Sequence, residues 1–314
     1  MPENTAPPRV APEDYTAAAR RIAPYVRRTP VLTVRADGRE VSLKLEHLQA
    51  AGVFKIRGAL NALLAGREGG RPVASVVTAS GGNHGLGVAT AASWLGVPAT
   101  VYVPVTVPDI KASRIAAAGA EVVKTGRVYA DAERAARAFA ADQGRRYVHA
   151  YDDPAVVAGQ GTLAAEIVAD LPACDVVAVP VGGGGLLAGV SGGLAALGRP
   201  TVVVGVEPEG CPTLHAAVEA GGPVDVGADS VAASALGASR VGGLALAAYR
   251  ANPVGLALVS DKEIIAARDR LWEDFRLAVE PAAATVVAAW LAGQVPGAHP
   301  CLVLSGANAT WTPA

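Results

Sequence analysis

Short apolar runs rich in Val alternate with longer alanine-rich segments along most of this chain, and no other feature narrows the fold so far. Strand-length runs fall at 74–78, 99–103, 121–124, 175–180, 201–207, 256–260 and 301–304. Helical patterns at 85–95, 110–118, 130–143, 154–171 and 261–275 lie between them, several closing at a glycine, as helices commonly do. Strands this apolar are buried on both faces. The pattern therefore predicts an α/β fold with parallel strands under helices on either side.

At about 150 residues per domain, the 314 residues suffice for two domains. No low-complexity linker separates two halves, so the second domain is expected as an insertion: a small one over 74–147, with 1–73 and 148–314 forming a larger one. Pro2, Pro7, Pro8 and Pro12 predict an extended lead-in, followed by a helix over 12–26.

Lys plus Arg number 27 against 28 Asp plus Glu, so no basic surplus is available for a nucleic-acid backbone. The mean hydropathy of +0.33 raises the question of a membrane span. The uncharged stretches 80–108 and 176–198 are interrupted by Asn83, His84, Pro98, Pro104 and Pro180 and by clustered glycines, so each divides into strand, turn and helix. The N-terminus lacks a basic region followed by an apolar run. Cys174, Cys211 and Cys301 are odd in number, far apart and without metal-ligand spacing, which fits reduced thiols. A soluble, cytoplasmic enzyme without a membrane or nucleic-acid partner is the expectation.

Three motifs carry chemistry. Val179-Pro-Val-Gly-Gly-Gly-Gly-Leu186 runs from a strand through four glycines into an apolar helix. Backbone N–H groups of such a loop, with the positive end of the helix behind them, suit a phosphate; a tight turn alone would need fewer glycines. Thr78-Ala-Ser-Gly-Gly-Asn-His-Gly85 again joins strand to helix and suits a carboxylate, unless Ser80 or Asn83 merely caps the helix and His84 is a turn histidine. Val53-Phe-Lys-Ile-Arg-Gly58 offers Lys55, which in isolation reads as a solvated side chain.

In this order, the motifs resemble fold-type II pyridoxal-phosphate enzymes, specifically the threonine/serine dehydratase and serine racemase group. The resemblance spans Arg28-Thr-Pro-Val-Leu32, Leu43-Lys-Leu-Glu46, the three motifs above, Val206-Glu-Pro208, Glu280-Pro281 and Leu304-Ser-Gly-Ala-Asn308. It implies two sheet domains of the tryptophan synthase β type with pyridoxal 5'-phosphate in the cleft between them. Lys55 then matches the lysine that holds the cofactor covalently, and Phe54 the aromatic residue beside it. Asn83 matches the amide facing the cofactor's phenolic oxygen, and Ser80, Gly81, Gly82, Asn83 and His84 the substrate-carboxylate loop. Gly182, Gly183, Gly184, Gly185 and Leu186 match the phosphate loop, Ser305 faces the pyridine nitrogen, and Glu280 joins the cofactor-binding set.

The implied reaction is β-elimination from a β-hydroxy amino acid, most simply L-threonine or L-serine, to a 2-oxo acid and ammonia. A neutral partner such as Ser305 gives the pyridine nitrogen little reason to be protonated, which suits prompt loss of a β-hydroxyl better than transamination. A dehydratase for an aryl-serine or 3-hydroxyaspartate, a serine racemase, and a non-catalytic nucleotide-binding module are the alternatives. Gly81 stands where racemase-like members carry a serine. Thr213 stands where some members supply an aspartate beside the residue matching Glu207, so no metal site is assigned. The segment 231–240 borders the substrate side chain on this reading. The end of the chain soon after Ser305 leaves no room for a regulatory domain, and a homodimer is one assembly open to it.

Overall fold

The computed structural model describes residues 9–309 except 69 and 71, so Pro2, Pro7 and Pro8 of the expected lead-in lie outside the described residues. The chain runs α1 (Pro12–Ile22), β1 (Val31–Ala36), β2 (Arg39–Lys44), α2 (Ile56–Glu68), β3 (Val76–Ala79), α3 (Asn83–Trp94), β4 (Ala99–Val103), α4 (Asp109–Ala117), β5 (Glu121–Lys124), α5 (Tyr129–Asp142) and β6 (Arg146–Tyr147). It continues through α6 (Pro154–Asp170), β7 (Val176–Pro180), α7 (Gly185–Ala196), β8 (Val202–Pro208), α8 (Thr213–Glu219), α9 (Ala233–Leu236), α10 (Gly243–Ala251), β9 (Val254–Val259), α11 (Asp261–Phe275), α12 (Pro281–Leu291) and β10 (Pro300–Val303).

Two sheets result. One has the order β1-β2-β10-β7-β8-β9 and the other β5-β4-β3-β6. All pairings are parallel except β1 with β2. That antiparallel hairpin departs from the expected pattern because β1 is largely exposed and lacks an apolar run. Its signal is Asp37-Gly38, both at positive φ (51° and 74°), which is the two-residue turn that matches strand twist.

Successive residues of the central strands serve opposite faces, as a period of two requires. Val176 and Ala178 of β7 pack with Val286 and Trp290 of α12, while Val177 and Val179 pack with Leu187 and Val190 of α7. In the smaller sheet, Val76 and Val101 pack with Leu60 of α2 and Val88 of α3, and Val77 and Tyr102 pack with Ala132 and Ala136 of α5.

The helix α6 joins these two cores. Its N-terminus is capped by Asp153, whose Oδ1 accepts from Ala155 N at 2.9 Å, with Pro154 at the first helical position. On one side it meets α2 so closely that a Cβ at Gly159 would lie 2.6 Å from Arg57 O and 2.7 Å from Gly58 Cα. On the other it meets α7, where a Cβ at Gly189 would lie 2.7 Å from Gly161 N. Only glycine permits these backbone approaches.

A buried ion network reinforces the α2–α6 contact. Arg57 Nε and Nη2 donate to Glu46 Oε2 and Oε1, both at 2.8 Å, and Nη1 donates to Glu166 Oε1 at 2.7 Å. Lys44 Nζ donates to Glu166 Oε2 and to Thr29 O, each at 2.7 Å, and Thr29 Oγ1 donates to Glu46 Oε1 at 2.6 Å. Burial raises the Glu46 carboxyl, but the charge and hydrogen bonds of Arg57, with the Thr29 hydrogen bond and the Lys44 charge, together outweigh it and hold the group below the usual range. Such a network is stable only when complete. Arg57→Met, which leaves the Glu46 carboxylate buried without its partner, is expected to cost about 3–5 kcal/mol in urea unfolding.

Candidate active site

Parallel strands leave their loops at the C-terminal edge of the sheet, where α/β proteins bind ligands. The loops after β3, β4, β7 and β10 surround one cavity of about 480 Å³ between the two sheets. Phe54, Lys55, Ser80, Gly81, Gly82, Asn83, His84, Gly182, Gly183, Gly184, Gly185, Leu186 and Ser305 all line it, although they come from four separate stretches of sequence. Glu280 alone of the singled-out residues is not on the wall; it stands behind Asn83.

Lys55 immediately precedes α2. Its Nζ donates to Ala150 O at 2.8 Å and lies 5.2 Å from the Phe54 ring centroid. Burial without a carboxylate partner lowers its ammonium to about 8, so free amine is present near neutral pH. Opposite it, the N-cap of α7 is Gly184 at φ 85°, where a side chain would also meet Ala245 Cβ at 2.3 Å. The N–H groups of Gly182, Gly183 and Gly184 find no backbone acceptor among the described residues. They add to the unpaired N–H groups of the first turn of α7 to make an anion-binding concavity.

The 80–84 loop resolves its alternatives. Ser80 Oγ accepts from Gly82 N at 3.2 Å, and the N-cap of α3 is Gly82, with no side-chain cap. The first turn of α3 is therefore open toward the cavity. Asn83 Nδ2 donates to Glu280 Oε1 at 2.6 Å and Asn83 Oδ1 accepts from Asn308 Nδ2 at 3.0 Å, which leaves one amide hydrogen uncommitted. His84 Nε2 lies 3.2 Å from Val148 O, while burial first and the Lys55 charge second push the ring down to about 3, so it is neutral. Ser305 is 3% exposed, and its carbonyl accepts from Phe54 N at 3.1 Å, which ties the end of β10 to the Lys55 segment.

Glu207 is occupied in the fold: it accepts from Thr213 Oγ1 (3.1 Å), Leu214 N (2.8 Å) and His215 N (2.9 Å) at the start of α8. Residues 233–238 of the uncertain 231–240 segment do line the cavity.

The sequence reading missed Val107, Tyr129 and Tyr151 on the same wall. A Cβ at Gly81 would meet Val107 Cγ2 at 2.5 Å, and one at Gly183 would meet the Tyr151 ring at 2.2 Å. Both glycines are thus fixed by partners distant in sequence. A weak signal existed only for Tyr151, in the polar His149-Ala-Tyr-Asp152 stretch that follows the last strand of the smaller sheet.

Residues 22–306 match a family model described as pyridoxal-phosphate dependent enzyme. The chain belongs to that family. Among its relatives, the L-threonine ammonia-lyase of Thermotoga maritima is 36% identical over 301 residues, covering 94% of this chain and 75% of the relative. The phenylserine dehydratase of Ralstonia pickettii is 38% identical over 297 residues, covering 92% and 90%. A solved threonine deaminase, from T.th., is 37% identical, with a TM-score of 0.89 over 98% of this chain and all 100% of that one. No helix among the described residues is long and apolar enough to cross a membrane.

The cavity fits the family's cofactor. It offers a buried amine for the aldehyde, glycine N–H groups and a helix N-terminus for the phosphate, and the Ser305 side chain on the same wall. Behind this wall, burial raises Glu280 from 4.5 to about 7, with the Asn83 hydrogen bond opposing the rise. A value higher in the folded chain means that Glu280 contributes stability fully below pH 4.5, and that the contribution is lost as pH rises through about 7. The cofactor-free protein should therefore lose stability across that window. Glu280→Gln, which cannot ionise, should remove this part of the pH dependence; urea unfolding at several pH values measures it.

Proposed function

We propose that this pyridoxal-phosphate enzyme is a dehydratase, or ammonia-lyase, that converts a β-hydroxy amino acid to a 2-oxo acid and ammonia. L-Threonine or L-serine is the simplest substrate. The observation that supports it is one cavity in which the Lys55 amine faces two glycine-bearing helix N-termini, those of α3 and α7. The reading takes residues 74–147 as a small inserted domain and 1–73 with 148–314 as the larger one. In its support, every strand of the β5-β4-β3-β6 sheet falls between 76 and 147. The three thiols are free and buried, in keeping with a reducing, cytoplasmic setting.

On this reading Lys55 is the residue that holds the cofactor, with Gly182 to Leu186 cradling its phosphate, Ser305 facing its ring nitrogen, and Asn83, steadied by Glu280, facing its phenolic oxygen. When bound, pyridoxal phosphate supplies an electron sink for the bond pair released at the substrate α-carbon. The free N–H groups of the 80–84 loop and of the first turn of α3 orient the substrate carboxylate. Lys55 Nζ removes the α-proton, and the β-hydroxyl departs as water with the proton returned from the ammonium so formed. The enamine that leaves the site hydrolyses to the 2-oxo acid and ammonia. Phe54, Val107, Tyr129 and residues 233–238 form the rest of the cavity wall.

Racemisation needs an acid–base group on each face of the planar intermediate state. Val107 fills the space in front of Gly81, so that wall presents methyl groups where a second proton donor would stand. With L-serine and L-threonine, 2-oxo acid should form far faster than the inverted amino acid, as chiral analysis of residual substrate would read. Gly81→Ser alone should perturb the wall by displacing Val107; combined with Val107→Ala it should permit measurable inversion. Borohydride reduction and peptide mapping should place the cofactor on Lys55. Label on another lysine, with Lys55→Ala still turning over, would overturn the assignment.

A further inference from the structure

The strap His149-Ala-Tyr-Asp152 lies between β6 and α6 and meets the site at Lys55 and at the tetraglycine loop. Ala150 O accepts from Lys55 Nζ at 2.8 Å, the Tyr151 ring backs Gly183, and Tyr151 Oη donates to Arg240 O at 3.2 Å. Asp152 accepts from Gly243 N (3.1 Å) and Leu244 N (2.9 Å) at the start of α10. What bends the strap is His149. Its Nδ1 accepts from Tyr151 N at 3.3 Å and from Asp152 N at 2.8 Å. Nδ1 is therefore the unprotonated nitrogen, and Nε2, which carries the hydrogen, points at Glu133 Oε1 of α5, 3.4 Å away.

The N–H of Tyr151 and the C=O of Ala150 belong to one peptide unit, which is planar and trans, so the two bonds point in opposite directions. An acceptor that fixes the N–H thereby fixes where the carbonyl points. We propose that His149 is a positioning residue for Lys55: its Nδ1 orients the Ala150–Tyr151 peptide plane so that the Ala150 carbonyl meets the lysine amine, and Glu133 anchors the imidazole to α5. The inference rests on Lys55 being the reacting amine. Tyr147 and Tyr151 flank the imidazole, with ring centroids 6.4 and 4.5 Å away, and Arg137 holds Glu133 from the far side at 2.8 Å. The titratable group facing Lys55 from α3 is His84, which is neutral.

A carbonyl acceptor favours the ammonium over the amine, so its loss should move Lys55 to lower values still. Full-length protein stripped of cofactor and then given pyridoxal phosphate recaptures it through the free amine. The pH midpoint of the recapture rate, followed by absorbance, reads that amine without turnover. In His149→Ala the midpoint should fall by about one unit and kcat by roughly tenfold or more, with KM changing less. His149→Asn, whose Oδ1 can take the place of Nδ1 as acceptor, should restore the midpoint. If His149→Ala does not fold, His149→Leu fills the space without an acceptor and takes its place in the comparison. An unmoved midpoint in the acceptor-free variant, or equal shifts in it and in His149→Asn, overturns the inference. Borohydride label on a residue other than Lys55 would instead overturn the functional reading on which it rests.

Discussion

The backbone contact of α6 with α2 on one side and α7 on the other sets the dimensions of everything else. Helices separated by ordinary side chains pack about 8–10 Å apart, and a pair at that spacing can slide as rotamers change. Here Gly58, Gly159, Gly161 and Gly189 bring main chain against main chain, so the spacing is fixed by atoms that cannot rotate away. Lys55 leads into α2 and the tetraglycine loop leads into α7. The distance from the Lys55 amine to the tetraglycine loop is therefore governed by the thickness of α6, and the Arg57–Glu46–Glu166 network keeps α2 from rising off it.

The two sheets then supply what a single sheet could not. The β3 and β4 ends bring the 80–84 loop and Val107, while the β7 and β10 ends bring the tetraglycine loop and Ser305. The loops after β3, β4 and β7 reach the next helix within three to five residues, which holds their backbone N–H groups in place. Val107, Tyr129 and residues 233–238 line the same cavity from outside the two glycine-bearing loops.

Much of this was legible because it is local. The strands at 99–103 and 121–124 coincide with β4 and β5: β4 is buried along its whole length and reads as an uninterrupted apolar run, whereas β5, partly exposed, is marked only by Val122-Val123 between two charged residues. The glycine loops are visible because four consecutive glycines have few other uses. The hairpin β1–β2 was not read, as its strands are half exposed and only Asp37-Gly38 marks the turn. Val107 could not be read, and Tyr151 only weakly, because each acquires its meaning from a glycine far away in sequence. The N-cap choice at the 80–84 loop was likewise undecidable: Ser80, Gly82 and Asn83 are all admissible caps, and only the packing of Asn83 against Glu280 and Asn308 removes it from contention.

The electrostatic character of the cavity follows from the same packing. Lys55 is lowered to about 8, His84 to about 3, and Glu280 is raised to about 7, in each case chiefly by desolvation. Three groups of different ordinary pKa, two on the wall and Glu280 behind it, are all moved toward their neutral forms, which identifies the common cause as burial and not any one partner. A wall of that kind leaves few resident charges to compete for an incoming carboxylate or phosphate, so the helix N-termini and glycine N–H groups act with little screening. It also favours a lysine that is a base at neutral pH. A carboxylate placed against Lys55 would stabilise the ammonium and suppress proton removal, whereas a backbone carbonyl, as at Ala150, orients the amine with no opposing charge.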